Sequence, residues 1–507
     1  MVAEHALVIQ LNRADDVVIA RREVPAGTHL DEYDVSARET VPAGHKIAIR
    51  NIAAGAPVRR YNQIIGFASQ PIAAGAHVHV QNLSVRTFER DYAFCTDAKP
   101  TRYVHSEATF SGIVRPDGRV ATRNYLGVLT TVNCSATVAK RISEAFTGDA
   151  LREYPNVDGV VAITHTTGCG MDINGEGMKV LRRTLSGYAR HVNFCGILVI
   201  GLGCEVNQAE DLFSTQNLPR GPLLSSMTIQ ESGGTVGAIR IGVERIRDML
   251  SIANQVTREA VSASNLILGL QCGGSDGYSG ITANPALGAA VDLLVSNGGT
   301  AILSETPEIY GAEHLLTRRA ITPEIGEKLV SRIRWWEDYT ERERGEMNNN
   351  PSPGNKAGGL TTILEKSLGA IAKGGTTNLV DVFQYAEPVT SKGLVFMDTP
   401  GYDPVSATGQ VAGGANLICF TTGRGSVYGC KPSPSLKLAT SSRLYRQMAD
   451  DMDINCGEIL DGNASIEELG EQIFQLILET ASGRRSRSEA HGFGAEEFVP
   501  WMLGAVM

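Results

Sequence analysis

Four times along the chain, an apolar run of strand length stops abruptly at a cysteine. The runs are GVLTTVNCS from Gly127 to Ser135, VVAITHTTGCG from Val160 to Gly170, ILVIGLGCE from Ile197 to Glu205, and NLILGLQCGGSD from Asn265 to Asp276. Uninterrupted aliphatic stretches of this kind read as strands covered on both faces, which is the situation of a parallel sheet. Between and after them come helical patterns over about 136–146, 177–190, 228–258, 285–297 and 322–341, and further strand patterns near 299–303, 378–383, 393–398 and 416–421. Strand and helix in alternation predict mainly parallel sheets. Ligands of open α/β sheets bind beyond the strand carboxyl ends, so all four cysteines are expected to face one crevice.

The first ninety residues follow another rule. VPAGTHL from Val24, VPAGHKI from Val41, IAAGAPV from Ile52 and IAAGAHV from Ile72 repeat one pattern of a branched residue, two small residues or Pro, Gly, and a returning apolar residue. Turn signals flanked by short alternating stretches predict a small all-β module. The polar stretch 91–110 reads as a linker, and Pro116, Asp117 and Gly118 as a tight turn joining two strands. The expected architecture is multidomain α/β, with an all-β module over 1–97, an α/β domain over 98–260 and a C-terminal α/β domain over 261–507.

Composition narrows the function. With 507 residues, 42% of them hydrophobic and 20% charged, the chain can bury several cores. A net charge of -9 without clustered Lys and Arg argues against nucleic acid or an anionic membrane as partner. No stretch reads as a signal peptide or a membrane span, so the expectation is a cytoplasmic protein with reduced thiols. Of nine cysteines, Cys95, Cys195, Cys419, Cys430 and Cys456 read as small packed residues or chance exposures. Cys134, Cys169, Cys204 and Cys272, with His165, form a soft ligand set suited to iron(II), zinc or an iron–sulfur cluster. A harder alternative would draw on His45, His77, Glu205, Asp276 or Glu305; His77 and His79, two apart, share one strand face. His165, His45 and Lys356 are the candidate bases. Two glycine-rich loops, 348–359 and 420–429, bring Lys356 and Arg424, which together with Arg123 suit a carboxylate.

Several phrases are long and rare. DGRVATRN from Asp117, HTTGC from His165, GLGCE from Gly201, QCGGSD from Gln271, TANP from Thr282, NPSPGNK from Asn350 and TTGRG from Thr421 resemble the altronate and galactarate dehydratase family. The resemblance spans essentially the whole chain, and the N-terminal module resembles the SAF-type β-clip domain of that family. It implies dehydration of a hexonate or hexarate to a 2-keto-3-deoxy sugar acid, assisted by a divalent metal, usually iron(II), with manganese, zinc or an iron–sulfur cluster left open. The segment 305–313 resembles the altronate branch, whereas 156–161 and 452–455 resemble the galactarate branch; the balance leans to altronate. Such a reaction needs a base at the α carbon, an acid at the departing 3-hydroxyl and cations to hold the enediolate. The expected site comprises His165, His45 and Lys356 for catalysis, Arg123, Asn124, Ser275, Asp276, Asn355 and Arg424 for substrate, and Cys134, Cys169, Cys204 and Cys272 for metal. The expected partner is a small sugar acid, and a homodimer is expected because large α/β enzymes are commonly symmetric. Two other classes fit less well. One is a lyase resembling sulfolactate sulfo-lyase, in which the two modules lie on separate chains; the other is a sugar-acid binding protein without turnover.

Overall fold

A computed structural model describes residues 7–86 and 90–507. In the N-terminal module the four-fold echo becomes two paired turns. Val24 and Val41 exchange reciprocal backbone hydrogen bonds, as do Ile52 and Ile72. Each of these branched residues is buried, and each repeat's glycine, Gly27, Gly44, Gly55 and Gly75, turns the chain at a φ near +80°, a region where a side chain would be strained. Around the turns lie a four-stranded antiparallel sheet, in the order Val8–Ile9, Val17–Ala20, Lys46–Ala48 and His77–Val78, and a three-stranded sheet of Pro57–Arg60, Gln63–Ala68 and Leu83–Ser84.

The linker does not hang free. Cys95 and Asp97 donate backbone hydrogen bonds to Thr317 and Arg318, and Val104 to Ser296. The tight turn at Gly118 joins Thr109–Val114 to Val120–Ala121 in antiparallel register, as its sequence predicts. A four-stranded parallel sheet follows, in the order Gly159–Ile163, Tyr125–Thr130, Phe194–Gly201 and Leu224–Thr228. Helices Ala136–Glu144 and Thr235–Ala253 pack against each other beside this sheet, burying Val138, Ile142, Ile246 and Leu250 with Leu126 and Leu198.

The C-terminal part is built on a seven-stranded parallel sheet in the order Leu379–Phe383, Gly393–Met397, Thr300–Leu303, Ile267–Cys272, Leu417–Thr422, Ser435–Ala439 and Ile454–Asn455. The chain leaves Ile267–Cys272 toward one edge and returns to Leu417–Thr422 on the other side. The strand order therefore reverses between those two, and that is where α/β sheets open a crevice. The two outermost strands on the Ser435 side escaped the hydrophobic pattern. One carries Lys437, fully buried because its ammonium donates to the Tyr428 carbonyl and Ser488 Oγ, and the other is only two residues long. The stretch 348–359, expected as irregular loop, contains the short helix Pro353–Ala357, started by a capping box between Ser352 and Asn355. No helix among the described residues is long and apolar enough to cross a membrane.

Candidate active site

The four cysteines do not meet in one crevice. Cys134, Cys169 and Cys204 end strands of the four-stranded sheet and are exposed, whereas Cys272 ends the central strand of the seven-stranded sheet and is buried. Among the described residues no three of these thiols lie within 4.8 Å of one another, so the four do not form a single-ion site; the runs that looked alike in sequence belong to two sheets.

Around Cys272 the larger sheet gathers charge in its interior. Thr300–Leu303 delivers Glu305 and Glu308 just past its end, while the helix Ile363–Ile371 and the turn after it deliver Lys366 and Lys373. Lys373 Nζ lies 2.7 Å from Cys272 Sγ and 3.2 Å from Glu305 Oε2. The thiol in turn sits 3.6 Å from Glu305 and 3.5 Å from Glu308. Lys366 Nζ donates to Glu308 Oε1 and to Asn350 Oδ1, both at 2.7 Å, and Asn350 Nδ2 donates to Glu308 at 2.8 Å. All five ionisable side chains are buried, and such groups stay in place only when they neutralise one another.

The two carboxylates are driven apart. Burial and the facing Glu308 raise Glu305 above the ordinary carboxylate range. Burial opposes ionisation of Glu308 too, but Lys366 and Lys373 outweigh it and hold that group low. Burial pushes the Cys272 thiol up, and burial together with Glu308 raises Asp403, half-buried beside Gly273, to about 6. Glu305 also has a left-handed backbone, φ +70°, its N–H on Thr399 Oγ1, and an Oε1 without a hydrogen-bond partner among the described residues. A bulky residue held in that conformation, with half its carboxylate unsatisfied, is a mark of a functional position.

The N-terminal module closes the crevice from above. Its Gly44 turn presses against both cleft loops, so closely that a Cβ on Gly277 would lie 2.0 Å from the Gly44 carbonyl oxygen and one on Gly359 2.3 Å from it. Gly359 thus admits the module's backbone. Lys46 Nζ donates to the Gly359 carbonyl at 2.6 Å and to Glu365 at 2.9 Å, and Arg60 donates to Glu365 at 2.6 Å and to the Gly277 carbonyl at 2.7 Å. Burial alone would raise Glu365, yet Lys46 and Arg60 bring it down to about 2.

Beside this lock stand His45, His77 and His79, whose ligand nitrogens all lie within 4.8 Å of one another. His45 Nδ1 is 3.0 Å from His77 Nε2, and His45 Nε2 is 3.3 Å from the Ala357 carbonyl. Burial lowers all three imidazoles, helped by Lys46 at His45 and His79 and by His45 at His77; His77 comes to about 4 and His79 to about 3. They are neutral at pH 7 and free to ligate. His79 Nδ1 is buried without a hydrogen-bond partner among the described residues, the condition a metal would relieve. Cys272, Glu305 and Glu308 are equally close together, but there two ammonium groups already fill the cationic role.

Of the other expected residues, the structure brings His45, Lys356 and Arg424 to this cleft. Lys356 is half-buried and precedes Ala357, whose carbonyl faces His45; Arg424 is exposed, its Cβ packed over Gly274. Ser275, Asp276 and Asn355 also line it, but as scaffold. Asn355 Nδ2 donates to the Ser275 carbonyl, and the Asp276 carboxylate accepts from Tyr278 N–H, Ser279 and Thr440. Arg123, Asn124 and His165 are corrections. Arg123 is buried, forked onto Glu489 and donating to the Thr480 and Arg484 carbonyls, so no donor pair remains for a substrate. Asn124 spends its amide on Asn156, Ala253 and Arg115. Both ring nitrogens of His165 face main chain, Nε2 the Thr130 carbonyl and Nδ1 the Thr167 N–H. Glu205 similarly pins its own loop through Thr131 and Gly203. Glu308, Lys366 and Lys373 went unread. The available signal was Glu365 and Lys366 in the middle of an otherwise apolar or small-residue helix, with Lys373 following two residues after its end.

Three family models match the chain. They describe the altronate/galactarate dehydratase SAF domain over residues 6–86, the second domain of D-galactarate dehydratase/altronate hydrolase over 112–254, and the C-terminal part of D-galactarate/altronate dehydratase over 263–506. Among curated proteins, a galactarate dehydratase (L-threo-forming) of Escherichia coli is 38% identical over 493 residues, covering 95% of this chain and 94% of its own. Altronate dehydratases of Escherichia coli and Bacillus subtilis are 35% and 33% identical, each over 96% of this chain and 97% of theirs.

Proposed function

The chain belongs to the altronate/galactarate dehydratase family of hydro-lyases, and we propose that the cleft between its N-terminal module and its seven-stranded sheet dehydrates a six-carbon sugar acid of the altronate or galactarate kind. The observation that carries this reading is the Glu305–Glu308 pair, two buried carboxylates whose proton affinities are pushed in opposite directions at the crevice of the sheet. Titratable pairs split in this way assign acid and base roles.

In this reading Glu305, once ionised, takes the proton from C2 of the substrate. Its raised affinity for protons makes it a stronger base than an exposed carboxylate. Lys373, hydrogen-bonded to both Glu305 and Cys272, holds positive charge where the enediolate forms, and Glu308 with Lys366 keeps Asn350 in place. Asp403, raised to about 6, gives a proton to the 3-hydroxyl as it leaves as water. The enol that remains ketonises to the 2-keto-3-deoxy acid. Arg424 and Lys356, the cations at the cleft mouth, take the substrate carboxylates. A divalent metal fits His45, His77 and His79, and when bound there it would supply Lewis-acid stabilisation of charge on the substrate carboxylate.

The test is anaerobic incubation of the full chain with altronate and with galactarate, with iron(II) and a thiol reductant, and measurement of 2-keto-3-deoxy acid. Formation from either substrate is expected. No keto acid from either, with or without metal, would overturn the proposal.

A further inference from the structure

The smaller sheet has a crest of its own that the cleft does not use. Three adjacent parallel strands, Gly159–Ile163, Tyr125–Thr130 and Phe194–Gly201, each end in a loop that presents one exposed, unpaired thiol, namely Cys169, Cys134 and Cys204. Exposed free thiols oxidise readily. Three on neighbouring strand ends are a liability unless something binds them.

The loops are locked to one another. Asn133 N–H donates to the Thr167 carbonyl and Asn207 N–H to the Gly168 carbonyl, both at 3.0 Å. Asn207 Nδ2 donates to the Thr131 carbonyl at 3.0 Å, and Thr131 Oγ1 to Glu205 at 2.5 Å. A Cβ on Gly168, whose φ is +102°, would lie 2.2 Å from the Thr131 carbonyl oxygen, so that only glycine lets the two loops meet. His165 clamps the same two strand ends through both ring nitrogens. The chain's last residues hold the Cys169 loop from outside, through Met507 N–H on the Gly170 carbonyl at 2.7 Å and a bridge between Met171 and Val506. Each cysteine thus stands within a few residues of a fixed inter-loop contact.

The spacing selects the ligand. A single ion about 2.3 Å from each thiolate in tetrahedral geometry would hold the sulfurs about 3.8 Å apart, whereas these three do not all lie within 4.8 Å of one another. A structural zinc would also need a fourth donor, and the neighbouring imidazole, His165, has no free nitrogen. A polynuclear iron–sulfur cluster spreads its thiolates around several irons and tolerates the wider span. We propose that Cys134, Cys169 and Cys204 bind a [4Fe–4S] cluster, leaving one iron without a protein thiolate and open to an oxygen ligand from solvent. Cys272, on the other sheet, takes no part.

The experiment uses the full chain purified without oxygen and reconstituted with ferrous iron, sulfide and a thiol reductant. Iron and acid-labile sulfide are quantified, and visible absorption and the electron paramagnetic resonance of the dithionite-reduced protein are recorded. About four irons and four sulfides per chain are expected, with absorption that bleaches on reduction. Cys134→Ser, Cys169→Ser and Cys204→Ser each lose that content, whereas Cys272→Ser retains it. Because the three thiols are exposed, these substitutions should leave circular dichroism and melting of the cluster-free protein unchanged. A colourless reconstituted protein, binding of zinc in place of iron and sulfide, or equal cluster content in all four variants would overturn the proposal. None of these readouts depends on turnover, so they stand or fall separately from the dehydration assay.

Discussion

The two parallel sheets of this protein end in opposite ways. The carboxyl edge of the seven-stranded sheet is sealed, with Cys272, Glu305, Glu308, Lys366 and Lys373 all buried and the N-terminal module docked above them. The carboxyl edge of the four-stranded sheet is open, with its cysteines in solvent and its polar side chains spent on fastening loops. A sealed edge changes proton affinities, because burial penalises charge and neighbouring charges are weakly screened. An open edge keeps thiols reachable from solvent. The same strand-end architecture thus suits proton transfer in one place and ligation by thiolate in the other.

The comparison breaks most sharply at the base. Glu305→Gln keeps the shape of the cluster and removes the proton acceptor, and kcat should fall by about 10²- to 10⁴-fold, measured as keto acid released per active site, with the fold retained by circular dichroism.

A smaller effect is expected where the module is locked down. Glu365→Gln removes the charge that satisfies Lys46 and Arg60, both fully buried. Breaking one side of a buried ion pair costs about 3–5 kcal/mol. The measurement is denaturant unfolding together with limited proteolysis of the linker, which should be cut faster in the variant. An unchanged cutting rate would mean that the seal does not rest on this triad.

Acid should loosen the open-edged sheet through two neutral histidines. His165 and His191 are buried, and burial lowers each to about 4. The unfolded chain takes up their protons near the ordinary histidine value of about 6.5. Their contribution is therefore complete above that pH and is lost as the pH falls toward 4, by at most about 3 kcal/mol each. Unfolding free energy measured across that window should drop, and His191→Gln, which can still donate to the Ala415 carbonyl that His191 contacts, should flatten the drop.

How much of this was legible in the sequence depends on what a residue's neighbours are. The strands that end at cysteines were readable because an apolar run that stops at a polar group is a local pattern, and the module's repeats became paired turns for the same reason. Membership of one sheet or another is not local, so Cys272 looked like a companion of Cys134, Cys169 and Cys204. Arg123, Asn124 and His165 misled because a buried polar residue satisfied by main chain has the same sequence signature as a catalytic one, and only the hydrogen-bond partners tell them apart. Lys366 and Lys373 were hidden by a largely apolar helix and the turn that ends it, and only the fold shows them reaching Glu308 and Cys272. Glu305 stood among the candidate hard ligands, yet its backbone strain and its pairing with Glu308 exist only in the folded chain.

The pairing of Glu305 with Glu308 is the central claim, and the pH dependence of kcat tests it most directly. In the wild type the ascending limb should lie above the ordinary carboxylate range, because burial and Glu308 both raise Glu305. In Glu308→Gln the repulsion disappears and Lys366 is left uncompensated, so the limb should move to lower pH whatever the residual rate. An ascending limb at the same pH in both proteins would show that Glu305 is not the group whose ionisation controls turnover.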